Sequence, residues 1–482
     1  MHRRQWLALA VTAGVALSLV RCADQQPTAP VRSPDFRHVH QPPSSGGATT
    51  PEMVRQLAAE RGITPLHRAP HVRESLVKLG QALAFDPILS GNHDVSCMTC
   101  HLPGFETGDG RSLSIGAGGS GLGPSRTHPD GVFIPRNAPP LFDAGALRHM
   151  FWDGRVEADE HGQVHTPAGA QFTPAMQRVM EFGAVSAQPM FPPAASTEMR
   201  GVSGNELAAI SADDYTDIWA GLMRRLGAIP EYRKMFEKAY PGTRFRDMNF
   251  AYASNAIAGF LVDKLTFSNT PWDRFLRGQD RALTPQQLEG ARSFLTLKCS
   301  VCHTGPTLSD DKFHDVDVAQ IGPGQNQGML LHEDFGRMNV TGDPADRYRF
   351  RTSPLRNVEL TAPYGHDGAI MTLRDFVAHY SNSDSTLRAY DPSQLEPDLR
   401  STLVPDVDEI IAQRDTLLDG VVLTPALVDN LVAYMQALTD PAARDLSRFV
   451  PRRVPSGLPV GQPTDVAHGR RGGAHGSSHH GS

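Results

Sequence analysis

Cys97-Met98-Thr99-Cys100-His101 and Cys299-Ser300-Val301-Cys302-His303 repeat one pattern, Cys-x-x-Cys-His, about two hundred residues apart. That pentapeptide is the attachment signature of c-type haem. Two cysteine sulfurs add across the haem vinyl groups, and the adjacent histidine is carried round to the iron. The two motifs use four of the five cysteines. Cys-x-x-Cys pairs also hold zinc, but a zinc ribbon sets its pairs closer together and has no need of a histidine after each. The expectation is two covalent haem c groups, one on Cys97, Cys100 and His101, the other on Cys299, Cys302 and His303.

The chain begins with basic His2-Arg3-Arg4 and an apolar run from Leu7 to Val20, too short to span a bilayer. Residues 1–22 therefore read as an export signal, which fits haem attachment in the bacterial periplasm. The fifth cysteine, Cys22, stands where a lipoprotein signal would place its lipidated residue, although Arg21 replaces the small residue usual there. A lipid anchor at Cys22 and a free periplasmic protein both stay open. Residues 23–50 and 451–482 are rich in Pro, Ser, Gly and polar residues and read as a disordered tether and tail. A net charge of −6 with no basic runs argues against nucleic acid as a partner.

Between the ends, helical periodicity outweighs strand alternation. Pro51–Arg61, Val72–Ala84, Asp213–Leu226, Phe250–Phe267, Leu373–Tyr380 and Pro425–Leu438 carry apolar residues at helical spacing. Thr284-Pro285 supplies an N-cap and a first-turn proline for a helix running toward Leu297. Gly116–Gly123 and Pro189–Pro193 read as ordered loops. The predicted fold is mainly α, with two tandem cytochrome c-like haem domains, residues 51–275 and 276–450, and long ordered loops.

With one histidine ligand on each iron, function turns on the sixth position. Here the sequence resembles the bacterial di-haem cytochrome c peroxidase family, which includes the MauG-type enzymes. The resemblance is carried by Leu83-Ala84-Phe85-Asp86-Pro87-Ile88-Leu89-Ser90-Gly91, Pro135-Arg136-Asn137-Ala138-Pro139, Phe151-Trp152-Asp153-Gly154-Arg155 and the run Leu355-Arg356-Asn357 to His366-Asp367-Gly368. These blocks keep the family's order across about residues 75–440.

The resemblance implies that the first haem reduces peroxide. In the family a displaceable histidine lies sixteen residues after the first motif's histidine; here that position is Ala117, with His128 further along the loop as a substitute ligand. The family's glutamine and glutamate over the peroxide match Gln188 and Glu198, the glutamate able to move a proton between the peroxide oxygens. A structural Glu198 in a helix first turn beside Ser196 is the plain alternative. The stretch between Trp152 and Gln188 is longer than the family's. Trp152 matches a tryptophan that relays electrons between the haems.

At the second haem the electron-transferring peroxidases have a methionine fourteen residues after the position of His366; here it is Tyr380, as in MauG-type enzymes. A phenolic oxygen favours higher iron oxidation states than a thioether does. Met371 and Met338 are the rival ligands. Asn137, Thr361 and Pro363 match a calcium site of oxygen ligands between the haems. The resemblance thus implies a peroxidase using hydrogen peroxide and a small redox donor protein. A MauG-like enzyme oxidising Tyr or Trp of a protein substrate is the alternative, and a non-catalytic di-haem electron-transfer cytochrome is the rival of another class.

Overall fold

Threonine and proline start the main helices as their chemistry dictates. Thr50 caps helix α1 (Pro51–Glu60), Thr284 and Gln287 form a capping box at the start of Pro285–Thr296, and Thr424 caps Pro425–Gln436. Each has proline in its first turn, where the missing N–H costs nothing. The structure, a computed structural model, describes residues 48–325 and 332–461. It is about 45% helical with few strands, as expected of a mainly α chain.

Two apolar cores organise these residues. The first gathers helix α2 (Glu74–Phe85), Tyr215–Ala228, Pro230–Ala239 and Phe250–Leu265. The second gathers α1, Pro271–Leu276, Pro285–Thr296, Leu373–His379 and Pro425–Gln436. The same device appears in both. In the first, α2 crosses Phe250–Leu265 at Gly80, where a Cβ would lie 1.8 Å from the Ala256 carbonyl oxygen. In the second, Gly290 meets Asn430, with only 1.9 Å from an added Cβ to the carbonyl oxygen. In each core a helix just before a Cys-x-x-Cys-His motif packs backbone-close on a later helix.

The cores do not follow the expected domain limits. Helix α1, assigned from sequence to the segment 51–275, places Val54 and Ala58 in the second core. Trp272 and Phe275 also belong to the second core, so that core begins before residue 276. At the other end, the tail expected to be disordered from residue 451 stays packed through 461. Val454 is 1% exposed in the first core, and Ser456 Oγ donates to buried Asp86 at 2.6 Å. Apolar burial and a carboxylate anchor outweigh the tail's polar composition. Of the expected tether, Thr49 donates to Glu289 and Thr50 caps α1; residues 23–47, with the export signal and Cys22, lie outside the described residues, as does the tail beyond 461.

The long stretch between Trp152 and Gln188 folds as part of a three-stranded antiparallel meander. Its strands are β1 (His149–Met150), β2 (Val156–Ala158) and β3 (Val164–His165), in the order β1-β2-β3. Strands β4 (Phe313–His314) and β5 (Phe350–Arg351) pair antiparallel in the second half. Pro189–Pro193, read as loop, forms two tight turns, Gln188–Met190 and Pro192–Ala194, since proline is suited to a helical first turn. Among the described residues no helix is long and apolar enough to cross a membrane.

Candidate active site

Each Cys-x-x-Cys forms a single helical turn, helix α3 (Cys97–Cys100) in the first half and Cys299–Cys302 in the second. Each turn lines its own large interior cavity. The first cavity is about 140 Å³ and the second about 210 Å³. Protein interiors ordinarily pack as densely as organic crystals, so openings of this size inside a folded core are built to hold something. The two cysteine pairs face different cavities and do not converge on one zinc.

The histidines carry the strongest sign of what is held. His101 Nδ1 lies 2.9 Å from the Thr107 carbonyl oxygen, and His303 Nδ1 lies 3.0 Å from that of Leu308. A carbonyl only accepts, so Nδ1 must donate, which leaves the Nε2 lone pair free for a metal. Burial lowers the pKa of both imidazoles, keeping them neutral ligands although the backbone hydrogen bonds oppose the shift. A second sign is Arg351. Its guanidinium is buried, lines both cavities and donates to the Phe151 and Thr352 carbonyls; Asp311 acts on it from a distance, and it makes no ion pair among the described residues. A buried unpaired cation is costly, and haem propionates are the anions that would offset it. The residues fit a haem in each cavity.

On the first cavity, Gln188, Glu198 and Trp152 come together with Cys97, Cys100 and His101. Glu198 sits in one π-helical turn, Ser196–Arg200, ended by Gly201 in the left-handed region. Such turns recur at functional sites, and Glu198, in the first turn of this one, lines the cavity. Enclosure raises its pKa, while Arg155 and Arg136 pull it back toward the ordinary range. Ala117 and His128 do not line the cavity. Ala117 is buried in the first core, its N–H donating to the Glu198 carbonyl at 2.9 Å, and His128 Nδ1 accepts from Asp130 N.

Trp152 is 8% exposed and belongs to the wall common to both cavities, with Asn137, Pro139, Pro140, Leu147 and Arg351. Its indole N–H donates to the Asn137 carbonyl at 2.9 Å, fixing the ring in that wall. On the second cavity Tyr380 lies with Cys299, Cys302 and His303, and burial pushes its phenol above the usual range. Met371 and Met338 pack elsewhere, against smaller apolar clusters. Met435 does line the second cavity, a thioether the sequence reading missed. Asn137, Thr361 and Pro363 line it as well; the Asn137 amide donates to the Arg111 and Ser112 carbonyls. The sequence also singled out neither Arg155 nor Arg351.

The family model of di-haem cytochrome c peroxidase matches residues 74–281. The cytochrome c551 peroxidase of Pseudomonas aeruginosa is 30% identical over 352 residues, 73% of this chain and 80% of that protein. This chain belongs to the di-haem cytochrome c peroxidase and MauG family. It is accordingly a peroxidase-type oxidoreductase carrying two haem c groups. The methylamine utilization protein MauG of Methylorubrum extorquens is 27% identical over 317 residues, 66% of this chain and 71% of that protein. The solved structure of a MauG-like protein associated with microbial copper homeostasis shares the fold, at a TM-score of 0.55 and 24% identity over 80% of this chain and 95% of that one.

Proposed function

We propose that this chain is a periplasmic enzyme that reduces hydrogen peroxide to water at the haem of Cys97, Cys100 and His101. A donor protein supplies two electrons and solvent two protons, giving two waters. One observation carries the reading: Gln188 and Glu198 share the first cavity with that motif, and Trp152 stands in the wall toward the second. When bound, the haems supply an iron that takes up peroxide in the first cavity and an electron store in the second.

The protein's own groups do the rest. Glu198 accepts the proton from one peroxide oxygen and returns it to the other, so that the O–O bond breaks with water leaving. Gln188 orients the peroxide by hydrogen bonding. The indole of Trp152 carries electrons between the cavities, and Arg351 offsets propionate charge. Asn137 with the Thr361 and Pro363 carbonyls would hold a calcium ion through oxygen ligands.

Tyr380 favours a second outcome of the same chemistry. With a phenol on the second cavity and Met371 and Met338 away from it, the enzyme retains its oxidising equivalents long enough to spend them on a tyrosine or tryptophan of a protein substrate, as a MauG-like enzyme would.

The test is E198Q, which keeps shape and removes the proton acceptor. Rapid mixing with peroxide should show the bimolecular rate falling about 100-fold or more, with two haems per chain retained. An undiminished rate would exclude Glu198 as the acid–base group.

A further inference from the structure

The Phe151–Arg155 turn is held in an unusual way. Phe151 has φ 65°, a left-handed conformation costly for a bulky side chain, and Gly154 has φ 68°. A Cβ on Gly154 would lie 2.3 Å from the Phe313 ring, so only glycine fits. The second half of the chain clamps the turn through its backbone. Arg337 Nη1 donates to the Asp153 and Gly154 carbonyls at 3.0 and 2.9 Å, and Arg351 N donates to the Trp152 carbonyl at 2.9 Å. Backbone strain kept in this way marks a side chain whose direction matters.

Arg155 is the side chain so directed. Its guanidinium lies 3.5 Å from the Phe151 ring centroid, within 3.1–3.2 Å of both Asp153 oxygens, and 4.0 Å from Glu198 Oε1. It lines the first cavity beside Glu198. Burial works against the Asp153 charge, but Arg136 and Arg155 hold it ionised, well below the usual carboxylate range. Asp153 therefore stays a fixed anchor. The charged groups bearing on Glu198 are Arg155 and Arg136, which favour its ionised form, and Asp153, which disfavours it. The Cys97 and Cys100 sulfurs face it from α3.

We infer that Arg155 is a positioning residue for peroxide reduction: anchored by Asp153 and Phe151, it keeps Glu198 ionised and aimed so that the carboxylate can take the peroxide proton. This rests on the proposed role of Glu198. Without Arg155, enclosure acts on Glu198 with less opposition, so the carboxylate protonates at higher pH and is lost as an acceptor.

The experiment is the pH profile of the peroxide rate for the haem-loaded wild type, R155Q, R155K and E198Q. An opposite charge at this distance shifts a carboxyl by about one to three units. R155Q should therefore move the acid limb up by about one unit or more, with about a tenfold loss of rate per unit below the limb. R155K, which restores the charge, should return the limb toward wild type. Haem content and the oxidised optical spectrum report whether each variant is assembled. An acid limb unmoved in R155Q overturns the inference, even if the rate falls at every pH, and so does a limb that R155K fails to restore. If instead E198Q keeps full rate and the wild-type profile, it is the proposed role of Glu198 that fails. An R155Q protein unable to retain haem would also overturn a role confined to Glu198, since Arg155 would then be needed for assembly.

Discussion

At the scale of single residues, the first cavity brings Gln188, Glu198, Trp152 and Arg155 onto one surface. Gln188 and Glu198 match the family's glutamine and glutamate by their spacing, Trp152 stands in one of the family blocks, and all three line the first cavity. Arg155 stands in one of those same blocks, yet nothing local says that its guanidinium reaches Glu198 across more than forty residues of chain. Arg351 and Met435 are similar: their meaning lies in what they face. Tyr380 yields a prediction at this scale. A thioether favours reduced iron more than a phenol does, so Y380M should raise the midpoint potential of the second haem and shorten the optical state reached with peroxide. It should leave the peroxide rate within about threefold of wild type, because Glu198 is untouched. Spectroelectrochemistry and rapid-mixing spectra check both, and an unchanged potential would remove Tyr380 from the iron.

At the scale of elements, helix starts were well encoded because threonine caps and first-turn prolines act within a few residues. The helix pairings were not. Gly80 and Gly290 look like weak points in helical segments, since glycine disfavours helix, and only the crossings give them purpose. G80A and G290A should each lower unfolding free energy by about 3 kcal/mol, measured by denaturant titration of the haem-loaded protein. The methyl would meet a backbone carbonyl that no rotamer change can move aside. A loss near zero would mean that the helices separate easily. The meander was missed for a related reason: strands of two or three residues are too short to show alternation.

For the whole molecule, the ends of the described residues cross over. Helix α1 packs into the second core, and residues 454–460 into the first, so neither half is closed by its own segment alone. Buried charge lies between the halves. Arg356 pairs with Asp273 at 2.7 Å with both side chains fully buried, and Asp143, also buried, faces them. Asp143 accepts from Phe267 N through Oδ1, while Oδ2 has no partner among the described residues. Burial pushes its pKa up to about 7, although Arg356 and the Phe267 N–H oppose the shift. The folded form thus holds a proton that the unfolded chain releases near pH ~4. Stability from Asp143 is full below about pH 4 and is lost as pH rises toward about 7. D143N cannot ionise, so its thermal midpoint should fall less than that of wild type over this window. Parallel slopes for the two proteins would place Asp143 outside the linkage.

Two haem sites, a family and most helices were determined by the sequence alone, because Cys-x-x-Cys-His, capping residues and helical periodicity act over a few neighbours. Tertiary structure decided which residues share a cavity, that one tryptophan and one buried arginine stand in the wall between two cavities, and that Arg155 lies within 4.0 Å of Glu198. Those facts depend on contacts between segments far apart in the chain, and burial and charge acquire their values only once such segments have packed.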